Sequence, residues 1–463
     1  MNVITRFPPS PTGKLQLGNA RTALFNYLFA KHHGGSFLFR LEDTDRERSK
    51  KEFETDIVES LEWLGLTHDP VTSQNASGAS TTEVWRQSER GEMYKAKLKE
   101  LVDRNLAYIS KESELADEAK ADFVSPKRQE GAKRDEVIRF RNPNKTITFN
   151  DLIRGEIKFD TTELGDFVIA KSMEEPIYHL AVVIDDAEMG ITHIIRGEDG
   201  ISNTPRQILI QEAFGFTRPE YAHVPLILAP DRTKLSKRRG AIPVSEYRAR
   251  GYFPEAVVNY LALLGWNPGT DKELFSMQEL IEAFDLSKVQ KGGAVFGEEK
   301  MRWVNKEYLK KEGASSLIPH IPSELTADKT PAQVLTIAEM LFERISVFSD
   351  IQKDNESGEF DYLLKEPEYS KELLQWKKAT EGPKIHLEEA LSILTNVSSE
   401  NFTKSGIKDA LMPYAEAKGK GNVLWPLRMA LSGKEQSPDP FTLGACLGKE
   451  ATLRRLRHAL SMV

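Results

Sequence analysis

Cysteine is almost missing from this chain: Cys446 is the one example in 463 residues. That excludes an internal disulfide and any cysteine-rich zinc site, so no zinc is expected. It fits a reducing setting, and a cytoplasmic location is the expectation. Long apolar runs are missing too. No stretch approaches the ~20 apolar residues of a membrane span, and the N-terminus has no apolar signal region, so no membrane partner is expected. Positive charge is not in surplus, because 63 Lys and Arg stand against 70 Asp and Glu, a net −7. An evenly basic nucleic-acid binder is excluded, and a nucleic-acid partner would need local patches. Candidates are Lys127, Arg128, Lys133, Arg134, Arg139 and Arg141, then Lys288, Lys291, Lys300 and Arg302, and last Lys449, Arg454, Arg455 and Arg457. Two common phosphate motifs are absent as well. There is no G-x-G-x-x-G, and although Gly13 and Gly18 have P-loop spacing, Asn19-Ala20 follows where Lys and Ser or Thr are required.

What is present begins at the amino end. A short apolar run (Val3, Ile4, Phe7) leads into Pro8-Pro9-Ser10-Pro11-Thr12-Gly13 and then Lys14-Leu15-Gln16-Leu17-Gly18-Asn19. After Asn19, a natural N-cap, the residues Ala20, Ala23, Leu24, Tyr27 and Leu28 fall on one helical face. Strand, stiff loop and helix N-terminus together gather free N–H groups at a positive dipole end, which suits phosphate. Phe37–Glu42 alternates as a strand, and Asp43-Thr44-Asp45 offers caps to a helix running to Gly65. This order starts a parallel, doubly wound sheet, and polar groups at strand carboxyl ends, such as Glu42 and Asp43, face its ligand crevice.

The segment from about 76 to 184 has a different texture: a charged helix around Met93–Leu106, an acidic patch from Lys111 to Asp122, and short strands such as 137–140 and 146–149. It reads as an α+β insertion. Strands are expected at Phe167–Lys171, Tyr178–Ile184, Ile191–Ile195 and Val224–Leu228, with Thr204-Pro205 opening a helix as cap and N1 proline. Tyr178, Arg196 and Asp199 then lie at strand ends. Buried arginine demands an anionic partner, so Arg196 needs a ligand or a salt bridge. Further on, Lys234-Leu235-Ser236-Lys237-Arg238-Arg239-Gly240 packs like charges that repel unless an anion visits, and a triphosphate is the obvious visitor. Pro254–Trp266 is a packed helix with a glycine stop, and beyond Leu317 only helical segments are legible, among them Ala332–Val347, Leu387–Leu394 and Leu453–Leu460.

Two of these stretches carry a resemblance. Arg6-Phe7-x-Pro9-Ser10-Pro11-Thr12-Gly13-x-Leu15 is similar to the nucleotide-binding loop of class I aminoacyl-tRNA synthetases in their bacterial glutamyl branch, and Lys234-Leu235-Ser236-Lys237 to the class I Lys-Met-Ser-Lys-Ser element. The resemblance runs over essentially the full length, strongest in 1–65, 165–265 and 421–433. It implies a doubly wound, Rossmann-like parallel-sheet catalytic domain (1–75 and 185–240) and an α+β insertion gripping the tRNA acceptor end (76–184). A helical stem-contact domain (241–313) and an all-helical anticodon-binding domain (314–463) would follow.

The implied activity is ATP-dependent, Mg²⁺-assisted activation of L-glutamate and its transfer to glutamate tRNA, with glutamine tRNA a possible second substrate, by a monomer. Glutamate would lie against Arg6, Ser10, Glu42, Tyr178 and Arg196. The nucleotide would lie against Pro9, Ser10, Thr12, Gly13, Gly18, Asp199 and Lys237. Gln16, Gly18, Asn19, Lys234, Ser236 and Lys237 would form the catalytic motifs, and Arg344 aligns with an anticodon-reading arginine. Two positions depart from the family pattern: Gln16 stands for the first motif histidine, and Gly200 for the histidine usual after Glu198-Asp199. Slower chemistry is the expectation. The alternatives are a catalytically weakened tRNA-binding relative and a glutaminyl-type enzyme.

Overall fold

The computed structural model describes residues 2–45, 47–75, 78–82, 84–111, 136–235 and 242–463. Ser236 and Lys237, and the basic residues Lys127, Arg128, Lys133 and Arg134, lie outside these residues. The chain divides into two compact units, Met1–Ala249 with Pro254–Met301, and Arg250–Phe253 with Arg302–Val463.

In the first unit the strand Ile4–Phe7 runs parallel to Ser36–Leu41, which pairs in parallel with Trp85–Arg86. The helix Leu17–His32 connects the first two strands, so this is a βαβ crossover. A second parallel pair, His193–Gly197 with Glu220–Val224, has the helix Thr204–Phe214 as its crossover. The two pairs meet where Thr192 Oγ1 accepts from Ile4 N–H (2.8 Å) and Thr192 N–H donates to Ile4 O (3.0 Å). Continuous burial of Phe37, Leu38, Phe39, Arg40 and Leu41 marks a strand covered on both faces, as parallel sheets are. The insertion holds a four-stranded antiparallel sheet, ordered Glu175–Pro176, Phe167–Ser172, Glu136–Phe140, Ala107–Lys111. The hairpin Thr146–Asp160 reaches back, and its Asp151 pairs in parallel with Tyr221.

Four local expectations are corrected. Tyr178–Glu188 is a helix, not a strand. Leu180 to Asp186 is buried at every position, and a continuously apolar run fits a buried strand or a buried helix equally well by periodicity. The strand expected over Val224–Leu228 is two, Glu220–Val224 and Ile227–Leu228, broken at Pro225, which has no N–H to give a ladder. The first helix starts at Leu17 with Gln16 at the N-cap, so Asn19 sits inside its first turn. Tertiary bonds hold that entry without a side-chain cap, since Leu15 N–H donates to Asp56 Oδ2 (2.9 Å) and Val244 N–H to Leu15 O (2.9 Å). Thr204 is not a cap either. Asn203 takes that position, and Pro205 is in the first turn.

One glycine is fixed by crowding. A Cβ on Gly35 would lie 2.0 Å from Val3 O, where the chain turns from the first helix into the second strand. Gly35→Ala must push the first strand aside, and an expected loss of about 1–3 kcal/mol follows for such overpacking. The urea midpoint of the variant checks it.

The second unit is helical throughout its described residues. Helices Pro331–Arg344, Pro383–Asn396, Lys404–Lys418, Lys420–Ser432, Pro440–Leu447 and Lys449–Met462 share a core that includes Leu341, Leu387, Leu411, Leu427, Leu443 and Leu456. Thr330 and Gln333 form a capping box at the first of these, with Pro331 at its start. Cys446 is buried in this core, and burial pushes its thiol up to about 12.

Candidate active site

The carboxyl ends of Ile4–Phe7 and His193–Gly197 open onto a cleft of about 710 Å³. The loop Pro8–Gly18, the start of the first helix and the turn before Lys234 complete it. Of the predicted residues, Arg6, Pro9, Ser10, Thr12, Gln16, Gly18, Asn19, Glu42, Tyr178, Arg196, Asp199 and Lys234 all line this cleft. Gly13 is on the same loop but not among the lining residues. The positions 6 to 42 and 178 to 234, far apart in sequence, therefore meet in one place.

Arg6 is buried in a charge network. Its Nε and Nη2 donate to Asp186 Oδ1 and Oδ2 (3.2 and 3.4 Å), while Arg40 Nη1 donates to Asp186 Oδ1 (2.6 Å). Arg40 Nη2 also donates to Glu42 Oε1 (3.0 Å). Burial alone would raise the Asp186 carboxyl, but the Arg6 and Arg40 charges win and hold it below its usual range. For Glu42 the balance is reversed, and burial pushes its carboxyl up against the pull of Arg40. Asp43, expected to cap the next helix, instead accepts from Ser88 N–H (2.8 Å) and Ser88 Oγ (2.6 Å), and Lys50 occupies that cap. After these bonds Arg6 Nη1 is buried with no hydrogen-bond partner among the described residues.

Arg196 shows the same pattern. Its Nε donates to His223 Nε2 (3.1 Å), and its Nη2 to Gly200 O (3.0 Å) and Thr204 Oγ1 (2.7 Å). Its Nη1 is buried and unpartnered among the described residues. Two guanidinium groups in one cleft thus each keep a desolvated N–H₂ without an acceptor. Such a donor costs about 1–3 kcal/mol, more for a charged group, until an acceptor arrives. An anion satisfies both.

The loop side offers a different surface. The first helix has no acidic residue in its first turn, which leaves its positive end uncompensated. A Cβ on Gly18 would meet no atom within 4 Å, so a ligand can approach the backbone there. Gln16 Nε2 donates to Lys14 O (3.0 Å), and its Oε1 is buried without a partner among the described residues. Opposite, Lys234 Nζ contacts Asp199 Oδ2 at 3.3 Å, with both side chains more than 60% exposed. An exposed pair is worth about 0–1 kcal/mol, so Lys234 is free to turn to a phosphate. Tyr178 stands at the rim, 41% exposed.

Comparison with known proteins settles the relationship. The family model described as the class I (E and Q) tRNA synthetase catalytic domain matches residues 2–122 and 114–303, and an anticodon-binding-domain model matches 307–460. The chain is 39% identical to a glutamate–tRNA ligase of Desulforamulus reducens, over 99% of this chain and 100% of the relative. The chain belongs to the bacterial glutamyl-tRNA synthetases of class I. A glutamate–tRNA ligase of Carboxydothermus hydrogenoformans is also 39% identical, over 98% of this chain and 99% of the relative. The crystal structure of the glutamate–tRNA ligase of Elizabethkingia meningosepticum in complex with its amino acid superposes with a TM-score of 0.84 at 34% identity, covering 100% of this chain and 99% of that one.

Within this glutamyl-tRNA synthetase fold, several cleft and supporting residues carry no signal in the motifs. Asp186 was visible only as one of an acidic pair, Arg40 only as a polar break in a strand, and His223 as a histidine inside Ala222-His223-Val224. Buried polar groups within otherwise apolar strands and helices are the signal that points to them. Arg21 is another: it lines the cleft and donates to Leu264 O (3.0 Å) and to Pro225 O. In the helical unit, Arg344 ion-pairs with Glu359 (3.3 Å) and lines a separate cleft of about 600 Å³ with Glu339, Lys404, Gln436 and Asp439.

Proposed function

We propose that the chain activates L-glutamate with ATP and transfers it to the 3′ end of glutamate tRNA. The carrying observation is the pair of buried, unpartnered Nη1 groups of Arg6 and Arg196 beside a helix N-terminus and Lys234. In this reading the two arginines take the side-chain carboxylate of glutamate, Ser10 and Tyr178 add hydrogen bonds, and Glu42 takes the ammonium. ATP lies over Pro9, Ser10, Thr12, Gly13 and Gly18-Asn19, with Asp199 at the ribose and Gln16, Lys234, Ser236 and Lys237 at the phosphates. A glutamate α-carboxylate oxygen attacks the α-phosphorus, the bond to the β-phosphate breaks, and pyrophosphate leaves with its charge met by the lysines. A terminal ribose hydroxyl of tRNA then attacks the acyl carbon and AMP departs. Positioning and charge neutralisation supply the rate.

Mg²⁺ is proposed to arrive on the nucleotide. Among the described residues no group of three or more His, Cys, Asp or Glu side chains is placed to hold a metal. We also place the chain in the cytoplasm as a monomer. Among the described residues no helix is long and apolar enough to cross a membrane. Arg344 and its cleft are assigned to the anticodon.

Charging assays on separated glutamate and glutamine tRNAs test the substrate assignment: glutamylation of the glutamate tRNA is expected, and its absence contradicts the proposal. Gln16 is assigned a phosphate contact through its remaining Nε2 proton. Gln16→Ala is expected to lower the glutamylation rate about 10²-fold, the lower end for losing one preorganised donor, because the amide is already shared with Lys14 O. Equal rates for the two proteins would show that Gln16 contributes nothing.

A further inference from the structure

Arg196 is held by groups that no motif assigns. His223 lies in the strand Glu220–Val224, fully buried, and its Nδ1 sits 2.6 Å from Asp151 Oδ2. Asp151 is itself locked: its Oδ1 accepts from Ile153 N–H (3.0 Å) and Arg154 N–H (2.9 Å), and its Oδ2 from His223 N–H (3.0 Å) as well. An acceptor with that many donors stays ionised, and the hydrogen bonds from His223 and the backbone hold it low although burial opposes them. The proton of His223 must therefore be on Nδ1, which leaves Nε2 as an acceptor. That acceptor is what Arg196 Nε uses at 3.1 Å. Burial keeps His223 below the usual imidazole range, so it remains neutral and able to accept.

Thr204 Oγ1 and Gly200 O hold the far side through Nη2. The fit at Gly200 is close, since a Cβ there would stand 2.6 Å from Arg196 Nε and 2.8 Å from its Cδ. So the bare glycine is what permits this pose of the guanidinium.

We infer that Asp151, His223, Thr204 and Gly200 are positioning residues that fix Arg196 with Nη1 left over for the substrate carboxylate. They would thereby set the glutamate affinity of this chain. In this reading they act through Arg196, and of the four only Gly200 also lines the cleft. The hairpin Thr146–Asp160 thus supports the amino-acid site through Asp151, at the point where it pairs with Tyr221.

The inference rests on reading Arg196 as a glutamate ligand, and the test separates the two. Steady-state glutamylation is measured with glutamate and ATP varied in turn, on Arg196→Ala, His223→Leu, His223→Gln, Thr204→Val and Gly200→Ala. If Arg196→Ala leaves the glutamate KM unchanged, the reading of Arg196 fails first. Given an effect there, His223→Leu and Gly200→Ala should each raise the glutamate KM about tenfold, the scale of one hydrogen bond to a charged group. The ATP KM should move less than about twofold, because Arg196 faces the amino acid in this reading. His223→Gln places an amide oxygen where Nε2 was and should recover most of the loss.

Thr204→Val removes the hydroxyl that accepts from Arg196 Nη2 and also contacts Gly200 O and His223 Nε2 (3.3 Å each), and it guards against a His223 variant that does not fold. It should raise the glutamate KM severalfold. A glutamate KM unchanged in Thr204→Val and Gly200→Ala while Arg196→Ala raises it overturns the inference. So does an equal rise in both KM values, or a His223→Gln no better than His223→Leu.

Discussion

Arg196→Ala lowers kcat/KM for glutamate by about 10²–10³-fold, the effect expected when one partner of a desolvated, hydrogen-bonded charge pair is cut away. The size follows from the geometry. Arg196 is half-buried, its Nη1 is out of water, and it spends Nε and Nη2 on His223, Gly200 and Thr204, so the carboxylate meets a cation already held in place. Alanine leaves the unpartnered Nη1 of Arg6, so some binding persists. Arg196→Lys restores the charge but neither the fork nor the bond to His223 Nε2, and it should fall between wild type and alanine. Kinetics with glutamate varied at saturating ATP and tRNA measure both. A lysine variant as active as wild type would mean that charge alone matters at this position.

Asp186→Ala should cost about 3–5 kcal/mol of stability, the range for removing one member of a buried ionic cluster. Asp186 is the acceptor shared by Arg6 and Arg40, and both cations are almost fully buried. Without it they face Asp185 at 3.8 Å from Arg40 and Glu42 at 3.0 Å, which serve Arg40 but not the two donors of Arg6. Asp186 also ties the helix Tyr178–Glu188 to two sheet strands, so the loss should be cooperative over the first unit. The pH dependence has a definite sign. The folded pKa of Asp186 lies below its ordinary 3.8, so its contribution is complete above that value and disappears as pH falls through the folded pKa. Urea unfolding should show a large gap between wild type and variant at pH 7, narrowing below pH 3.8. A constant gap down to pH 2 would show that shape, not charge, is what Asp186 provides.

These two residues illustrate what the sequence makes legible. Arg196 could be singled out because it ends an apolar strand before a Gly-Glu-Asp-Gly turn, a place where a doubly wound sheet puts ligands. The loop from Arg6 to Asn19 was readable for the same reason, and so was the helical character of Ala332–Val347 and Leu453–Leu460, where the structure has the helices Pro331–Arg344 and Lys449–Met462. The role of Asp186 was not legible, because its partners Arg6 and Arg40 are 180 and 146 residues away.

Tyr178–Glu188 misled for a related reason. Burial on every side removes the polar stripe that would have betrayed a helix. Glu42 was readable as a strand-end carboxylate, but not its pairing with Arg40, two positions back on the same strand. Asn19 was a reasonable cap by residue type, but the bonds from Leu15 to Asp56 and Val244 set the helix start instead. At Asn19 a long-range contact outweighed a local preference.

The account depends on glutamate and ATP meeting in the cleft between Arg6, Gly18, Arg196 and Lys234. Exchange of labelled pyrophosphate into ATP reads that meeting directly, because it requires reversible formation of the acyl-adenylate. With glutamate tRNA present, the exchange should appear on adding glutamate, fail with glutamine, and collapse in Arg196→Ala. Exchange driven by glutamine, or exchange with glutamate untouched by loss of Arg196, would contradict the account.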